Sequence, residues 1–261
     1  MGTTASGYAS HAEGSYQTVA SGNSAHAEGY HTTASGEHSH AEGDSTTASA
    51  LGAHAEGRST QAAGVVAHVE GQGTIASTYA SHAEGLSSKA TGNQAHAENY
   101  GTTAAGAQSH AEGYGSIAGG VASHAENFYT TAAGDYSHAE GDHTAARSTA
   151  QHVGGSYNIP DADDTYIEII GNGDAYADSN ARTLDWNGNE VLAGKLTVGV
   201  GPVNAMDVAT KRYVDNSISE YAPIDAPNFT NSISLGRKAN TTVGNNSIAV
   251  GFDVTASRDG S

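Results

Sequence analysis

The segment SHAEG occupies residues 10–14, and the same pattern returns along the chain as far as the SHAEG of residues 137–141. The repeated histidines are His11, His26, His40, His54, His68, His82, His96, His110, His124, His138 and His152. The first interval is 15 residues and the other nine are 14 residues. A short fixed period indicates a solenoid, in which each repeat forms one coil and stacks on the next.

Numbering each repeat from its histidine shows which positions hold only small residues. In the 14-residue repeats, position +1 is alanine except at Val69 and Val153, position +6 is threonine or serine, and position +8 is alanine. Positions −1, +3 and +10 are small in most repeats. Alternate residues of a strand share a face, so −1, +1 and +3 form one small face and +6, +8 and +10 another. We predict two strands of about five residues per coil, whose small faces meet in a narrow interior.

The composition of residues 1–155 supports a thin solenoid. Larger aliphatic residues are too few there to fill a two-layer core. Parallel stacking of successive coils would satisfy the backbone, with a rise of about 4.8 Å per coil. Eleven coils would therefore extend for roughly 50 Å.

The histidine and the glutamate at position +2 point outward from the first strand, yet they hardly vary. An outward position held this constant indicates a partner surface, and the simplest partner is the same stripe on another copy of the chain. The residues of this predicted interface stripe are His11, Glu13, His26, Glu28, His40, Glu42, His54, Glu56, His68, Glu70, His82, Glu84, His96, Glu98, His110, Glu112, His124, Glu126, His138 and Glu140.

Two kinds of chemistry fit such a stripe. Imidazole and carboxylate groups bind zinc, copper or nickel, and an ion at an occasional level stays open as an alternative. We favour a His–Glu hydrogen-bond ladder between chains and predict no metal and no cofactor. A nearby carboxylate should raise the histidine pKa, so the repeat region should melt highest in mildly acidic buffer. Catalysis is not expected, because a uniform stripe lacks an asymmetric pocket and alternation sends Ser10 to the opposite face.

The segments SISLG (232–236) and SIAVG (247–251) resemble the head repeats of YadA-type trimeric autotransporter adhesins. The resemblance implies a left-handed parallel β-roll, with three chains side by side and the apolar pair of each strand facing the partner chains. It thus implies interface positions at Ile233, Leu235, Ile248 and Val250. Laid over SHAEG, the same two positions become histidine and glutamate, which places the stripe at the trimer contact.

The segment between the two repeat regions is similar to pieces of bacteriophage tail fibres and receptor-binding proteins. The similar segments are ARTLDWNGNEVLAGKLTVG (181–199), NAMDVATKRYVDNSI (204–218) and APIDAPNFT (222–230). The second resembles a short helix that joins fibre modules, and its apolar residues have helical spacing. We expect Met206, Tyr213 and Val214 to pair in a helical neck.

Charge and composition exclude several classes of function. The formal net charge of −18 and the scarcity of lysine and arginine argue against nucleic-acid binding. The chain has no cysteine for a disulfide or thiolate site. No signal peptide is visible in MGTTASGYAS, and no 18-residue apolar run suggests membrane insertion. The outward aromatic residues Tyr30, Tyr100, Tyr114, Phe128 and Tyr129 are instead candidates for binding a surface glycan.

The repeat pattern predicts an all-β solenoid, and the resemblance to YadA-type heads implies that its coils form a left-handed parallel β-roll in a homotrimer. We expect a repeat β-roll at 1–155, a small β transition module at 156–203, a helical neck at 204–227 and the start of a second roll at 228–261. The expected function is structural and adhesive: a phage or prophage tail fibre that attaches to the host. It would be assembled in the host cytoplasm and carried on the virion with other tail or baseplate proteins. A bacterial surface glycan or protein would be its receptor. The alternative is a trimeric adhesin on the bacterial cell surface.

Overall fold

A computed structural model describes residues 2–161 and 163–195, together with the backbone of residues 233–235 and 248–250. The chain divides into two compact units, Met1–Gly194 and Lys195–Ser261. The predicted neck residues Met206, Tyr213 and Val214 lie outside the described residues. No helix in the described part of the chain is long and apolar enough to cross a membrane.

The described residues contain strands and no helix. In chain order these are β1 Thr4–Ala5, β2 His11–Ser15, β3 Val19–Ala20, β4 His26–Tyr30, β5 Thr33–Ala34, β6 His40–Asp44, β7 Thr47–Ala48, β8 His54–Ala55, β9 Gln61–Ala62, β10 His68–Val69, β11 Ile75–Ala76, β12 His82–Ala83, β13 Lys89–Ala90, β14 His96–Ala97, β15 Thr103–Ala104, β16 His110–Ala111, β17 Ile117–Ala118, β18 His124–Ala125, β19 Thr131–Ala132, β20 His138–Ala139, β21 Ala145–Ala146, β22 His152–Ser156, β23 Tyr166–Asn172, β24 Asn180–Asp185, β25 Glu190–Leu192, β26 Ile233–Leu235 and β27 Ile248–Val250.

The first unit is a parallel β-solenoid, as the 14-residue period predicts. The odd-numbered strands from β1 to β21 form an 11-stranded sheet, and the even-numbered strands from β2 to β22 continue through β23–β25 as a 14-stranded sheet. Successive coils pair in parallel with each histidine beside the next, for example His68 beside His82. Every coil therefore contributes one strand to each sheet, and each sequence position forms a column along the solenoid.

The interior is built from small side chains, as predicted. The alanines at +8 and the residues at +1 from Ala27 onward are buried, and so are the threonines and serines at +6. The largest fully buried side chains in the described part of the chain include Ile169, Val69 and Val153. Because alanine buries little apolar area, the regular backbone hydrogen bonds between coils are a major part of what holds the stack together.

Two details differ from the prediction. Most strands have two residues, and only β2, β4, β6 and β22 among the coil strands have five. Position +3 is not part of the interior: Gly14, Gly43 and Gly57 are exposed there and have φ of 123°, 111° and 99°. A positive φ suits glycine and turns the backbone at the corner. A Cβ on Gly43 would also lie 2.1 Å from the Gly57 carbonyl oxygen, so the small residue at +3 serves the turn and the close approach of successive coils.

The solenoid ends in a cap around Gln151, which replaces the usual serine or alanine at −1. Its buried side chain accepts a hydrogen bond from the Arg147 backbone N–H (2.9 Å) and donates one to the Tyr166 carbonyl (3.0 Å). Strand β23 pairs in parallel with β22, and β24 and β25 then add in antiparallel order. Ile169 of β23 is fully buried, so these strands cover the last coil.

The second unit contains one described strand pair. Strand β26 pairs in parallel with β27, with Ile233 beside Ile248 and Leu235 beside Val250. The 15-residue offset between the SISLG and SIAVG segments is therefore one coil of a parallel arrangement.

Candidate functional site

The outward residues at positions 0 and +2 of the 14-stranded sheet form what we call the His–Glu face: the histidines from His11 to His152 and the glutamates from Glu13 to Glu140. Adjacent imidazole rings lie with centroids 4.7–5.2 Å apart. The coil rise sets this spacing. From His26 onward the histidines are half-buried, whereas His11 at the first coil is exposed. The predicted outward stripe is thus present on a single chain.

The His–Glu pairs form within one chain, in two different patterns. In the first coils each histidine faces the glutamate of its own coil: Nε2–Oε2 distances are 3.8 Å at His11, 3.9 Å at His26, 3.5 Å at His40 and 3.7 Å at His54. In the later coils each histidine faces the glutamate of the preceding coil. Those Nε2–Oε1 distances are 3.9 Å at His96, 3.1 Å at His110, 3.3 Å at His124, 3.1 Å at His138 and 3.4 Å at His152.

The two patterns differ in whether the paired side chains form hydrogen bonds. Hydrogen bonds join His110 to Glu98, His124 to Glu112 and His138 to Glu126, so these coils carry a ladder along the chain. Between the two patterns, the buried Nε2 atoms of His68 and His82 have no hydrogen-bond partner among the described residues. The Nε2 atoms of His26, His40, His54 and His96 are in the same state. A ladder between chains, as the sequence suggests, stays a prediction.

Burial changes the protonation of two of these histidines. The pKa of His54 is lowered, first by burial and then by the neighbouring His68 and His40, against a smaller raising effect of Glu56 and Glu42. Burial also lowers the pKa of His82, followed by repulsion from His96 and His68. The rise predicted for a histidine close to a carboxylate is therefore wrong at His54, which lies 3.7 Å from Glu56, because desolvation and neighbouring imidazoles outweigh the carboxylates.

Three groups on the face bring possible metal ligands together: His96, Glu98 and His110, and the two equivalent groups that follow one and two coils later, each with ligand atoms within 4.8 Å. A fourth group is Glu13, His26 and Glu28. The rings of His96 and His110 are parallel within 1°. Since the lone pair of an imidazole nitrogen lies in the ring plane, parallel rings do not converge on one ion at zinc–nitrogen bond lengths of about 2.0–2.1 Å.

The serines at −1 belong to the interior, opposite the histidines. Ser39 is buried and its hydroxyl donates to the Gly36 carbonyl at 2.7 Å. Ser109, Ser123 and Ser137 make the same bond to the carbonyl three residues earlier. The Ser–His–Glu sequence therefore does not assemble these serines and the histidines on one surface.

A second feature lies beside the His–Glu face, at positions +4 and +5. Tyr100, Tyr114 and Phe128 stack along the solenoid with centroid distances of 4.6 and 5.2 Å. Tyr129 packs edge-on against Tyr114 and Phe128. His143 continues the cluster, contacting Phe128 and Tyr129 and stacking on Tyr157 at 4.5 Å. We call these six residues the aromatic patch.

The sequence indicated part of this patch. Of the five outward aromatic residues named from the sequence, four lie in it, while Tyr30 stacks separately on Tyr16 with centroids 5.3 Å apart. Sequence reasoning missed His143 and Tyr157. The sequence could have indicated both residues, because Tyr129, His143 and Tyr157 occupy position +5 of three successive repeats and therefore lie in one column.

Comparison with protein families agrees with this architecture. A family model described as the YadA head domain repeat (2 copies) matches residues 27–55, 97–123 and 230–253. The first two matches lie in the HAEG coils, and the third spans the paired strands β26 and β27. No curated protein matches the chain significantly. The chain therefore carries YadA head domain repeats in both of its repeat regions, and its HAEG coils form a parallel β-solenoid.

Proposed function

We propose that three copies of this chain form an adhesive fibre on a bacteriophage or prophage-derived tail, which attaches the particle to its host. The match to YadA head repeats carries the adhesive part of this proposal, because repeats of this type indicate a trimeric-adhesin-like fibre. The tail-fibre part rests on the resemblance of residues 181–199, 204–218 and 222–230 to phage fibre segments. Other tail or baseplate proteins would hold the fibre, and a bacterial surface glycan or protein would be its receptor.

The His–Glu face is the proposed contact between the three chains. It is continuous over the coils from His11 to His152 and keeps one chemistry while neighbouring columns vary. At its end His152 lies between Glu140 (3.4 Å) and Glu168 (3.8 Å), and Arg182 pairs with Glu168 at 2.9 Å. We assign the apolar pairs Ile233, Leu235, Ile248 and Val250 to the corresponding contact of the second roll, and Met206, Tyr213 and Val214 to a neck between the two.

The oligomeric state tests this contact directly. Light scattering of the purified chain should give three times the chain mass of 26.3 kDa. Glu112→Arg with Glu126→Arg places two cations on the His–Glu face and should yield monomers, because buried charge of the wrong sign opposes association. Thr103→Arg with Thr131→Arg is the matched control on the outer face of the other sheet, and this variant should remain trimeric. Equal molar masses for the two variants would show that the His–Glu face is not the contact between the chains.

A trimeric adhesin on the bacterial cell surface is the second candidate. The matching family supports it, since the YadA head repeat is the repeat of such an adhesin. Immunogold electron microscopy with antibodies against the chain separates the two candidates. Label on the tails of purified particles supports the tail fibre, whereas label on intact cells of a particle-free strain supports the adhesin.

A further inference from the structure

The aromatic patch is exposed although its rings are held in fixed positions. The exposed fractions are 46% for Tyr100, 39% for Tyr114, 43% for Phe128 and 45% for Tyr129. The six rings of the patch are contiguous. Contiguous exposed apolar surface with a polar rim is typical of a binding site.

Tyr129 lies at the centre of the patch, and the neighbouring coil leaves room for its ring. A Cβ on Gly115 would lie 2.6 Å from Cε1 of Tyr129, so the ring occupies space that only a glycine leaves open. Tyr114 and Phe128 hold the ring from the side, and His143 contacts it from the next coil. The ring is thus preorganised, and preorganisation lowers the entropic cost of binding.

Polar groups surround the rings. The tyrosine hydroxyls lie on the patch itself, and Asp142 bonds to His143 at 2.5 Å. The pKa of Tyr157 is raised by burial and by Asp142, Asp174 and Asp178, which shows that carboxylates flank this end of the patch. Together with the net charge of −18, these carboxylates oppose an anionic ligand.

The size of the patch distinguishes a protein partner from a glycan. A stable protein interface buries about 800 Å² on each partner and uses about 20–30 residues a side, which six side chains do not supply. A sugar ring has an apolar C–H face and a rim of hydroxyl groups, so it matches aromatic carbon edged by hydroxyls and a carboxylate. We propose that the aromatic patch binds a neutral glycan of the host surface, with Phe128 and Tyr129 as its central contacts. This inference rests on the adhesive function proposed above.

The test uses the full chain on an array of neutral and anionic bacterial glycans, followed by titration calorimetry with the strongest neutral glycan retained. Phe128→Ala with Tyr129→Ala should weaken this binding at least about tenfold. Tyr16→Ala with Tyr30→Ala, which removes a stacked pair outside the patch, should leave it unchanged. Unchanged circular dichroism and molar mass would show that both variants keep the fold and the assembly.

Retention of anionic glycans alone, retention of no glycan, or equal binding by both variants would overturn the assignment. A lower molar mass of the Phe128 and Tyr129 variant would also overturn it, because the patch would then be a contact between chains. Attachment of the full chain to host cells is measured in parallel. Attachment that survives in the patch variant refutes only the glycan site, whereas failure of the unmodified chain to attach refutes the adhesive function itself.

Discussion

Residues that repeat identically along this chain do not share one environment. His54 is paired with the glutamate of its own coil at 3.7 Å, whereas His110 is hydrogen-bonded to the glutamate of the preceding coil at 3.1 Å. Repetition fixes which column a histidine occupies. Its partner depends on side-chain rotamers, and its protonation depends on how far neighbouring rings exclude water from it.

Stability should decrease as the pH is lowered below neutrality. The pKa of His54 and that of His82 are below the unfolded value of 6.5, so the unfolded chain binds more protons as the pH falls below this value. The stabilising contribution is complete above pH 6.5 and is lost as the pH falls towards the lowered pKa values. Melting temperatures measured from pH 8 to pH 5 should therefore fall, rather than peak in mild acid.

The double variant His54→Gln with His82→Gln is the control for this pH dependence. It removes both groups with lowered pKa and should show a shallower decrease. A melting temperature that rises between pH 7 and pH 6 in the unmodified chain would contradict the role of burial, and would favour dominant pairing with the glutamates.

Two adjacent glycines allow a matched test of coil spacing. A Cβ on Gly120 would lie 2.0 Å from the Gly134 carbonyl oxygen, while a Cβ on Gly119 would have no atom nearer than 3.8 Å. Gly120→Ala should cost about 1–3 kcal/mol of unfolding free energy, as overpacking does. Gly119→Ala should be neutral or stabilising by about 0.4–1 kcal/mol, because alanine restricts the unfolded chain.

Urea unfolding followed by circular dichroism measures both variants. Ala50 occupies the coil position of Gly120 in another repeat, so the backbone can adjust and the cost should be moderate rather than prohibitive. Equal stabilities for the two variants would show that the coils are not held as closely as the 2.0 Å contact requires.

At the scale of single elements, the cap differs from the coils that it covers. A coil strand of two residues is held by its neighbours above and below, but the last coil has no further repeat. Gln151 and strands β23–β25 take that place, with Gln151 bonded to the backbone of Arg147 and Tyr166. A solenoid needs such an end, because an uncovered last coil exposes backbone groups and apolar surface.

Gln151→Ala should destabilise the cap. The substitution leaves partly buried backbone groups of Arg147 and Tyr166 without these partners, and we expect a cost towards the lower end of the range of about 1–3 kcal/mol for an unsatisfied buried group. Ser137→Ala is the control at the same coil position, where other coils carry alanine, and should change stability by less than about 1 kcal/mol. Hydrogen exchange should show faster opening of β22 and β23 in the Gln151 variant only; protection that does not differ between the variants would refute a capping role.

At the scale of the whole solenoid, each coil of the first unit contacts mainly the coils before and after it. Stability is then close to a sum of repeat and interface contributions. A complete coil is consequently a removable unit, whereas a part of a coil is not, because each coil must supply one strand to each sheet.

Deleting residues 54–67, one full repeat, should leave a folded solenoid that is shorter by about 4.8 Å. If the deleted coil contributes about 1 kcal/mol to the free energy of unfolding through its contacts with neighbouring coils, the melting temperature should fall by about 2–4 °C. Deleting residues 54–60 removes the strand of one sheet and keeps that of the other, and should abolish cooperative melting. Circular dichroism of both variants distinguishes these outcomes, and two equally folded products would contradict the coil as the structural unit.

The amino-acid sequence by itself determined the solenoid, its narrow alanine interior and the outward direction of the His–Glu face. These features follow from the 14-residue repeat and from the alternation of side chains between the two faces of a strand, and both can be read from the sequence alone. Only the tertiary structure decided the outward turn at +3, the change of histidine partners along the face, the lowered pKa of His54 and His82, and the joining of Tyr129 to Tyr114. These depend on distances between columns and on side-chain rotamers, which a period along the chain does not specify.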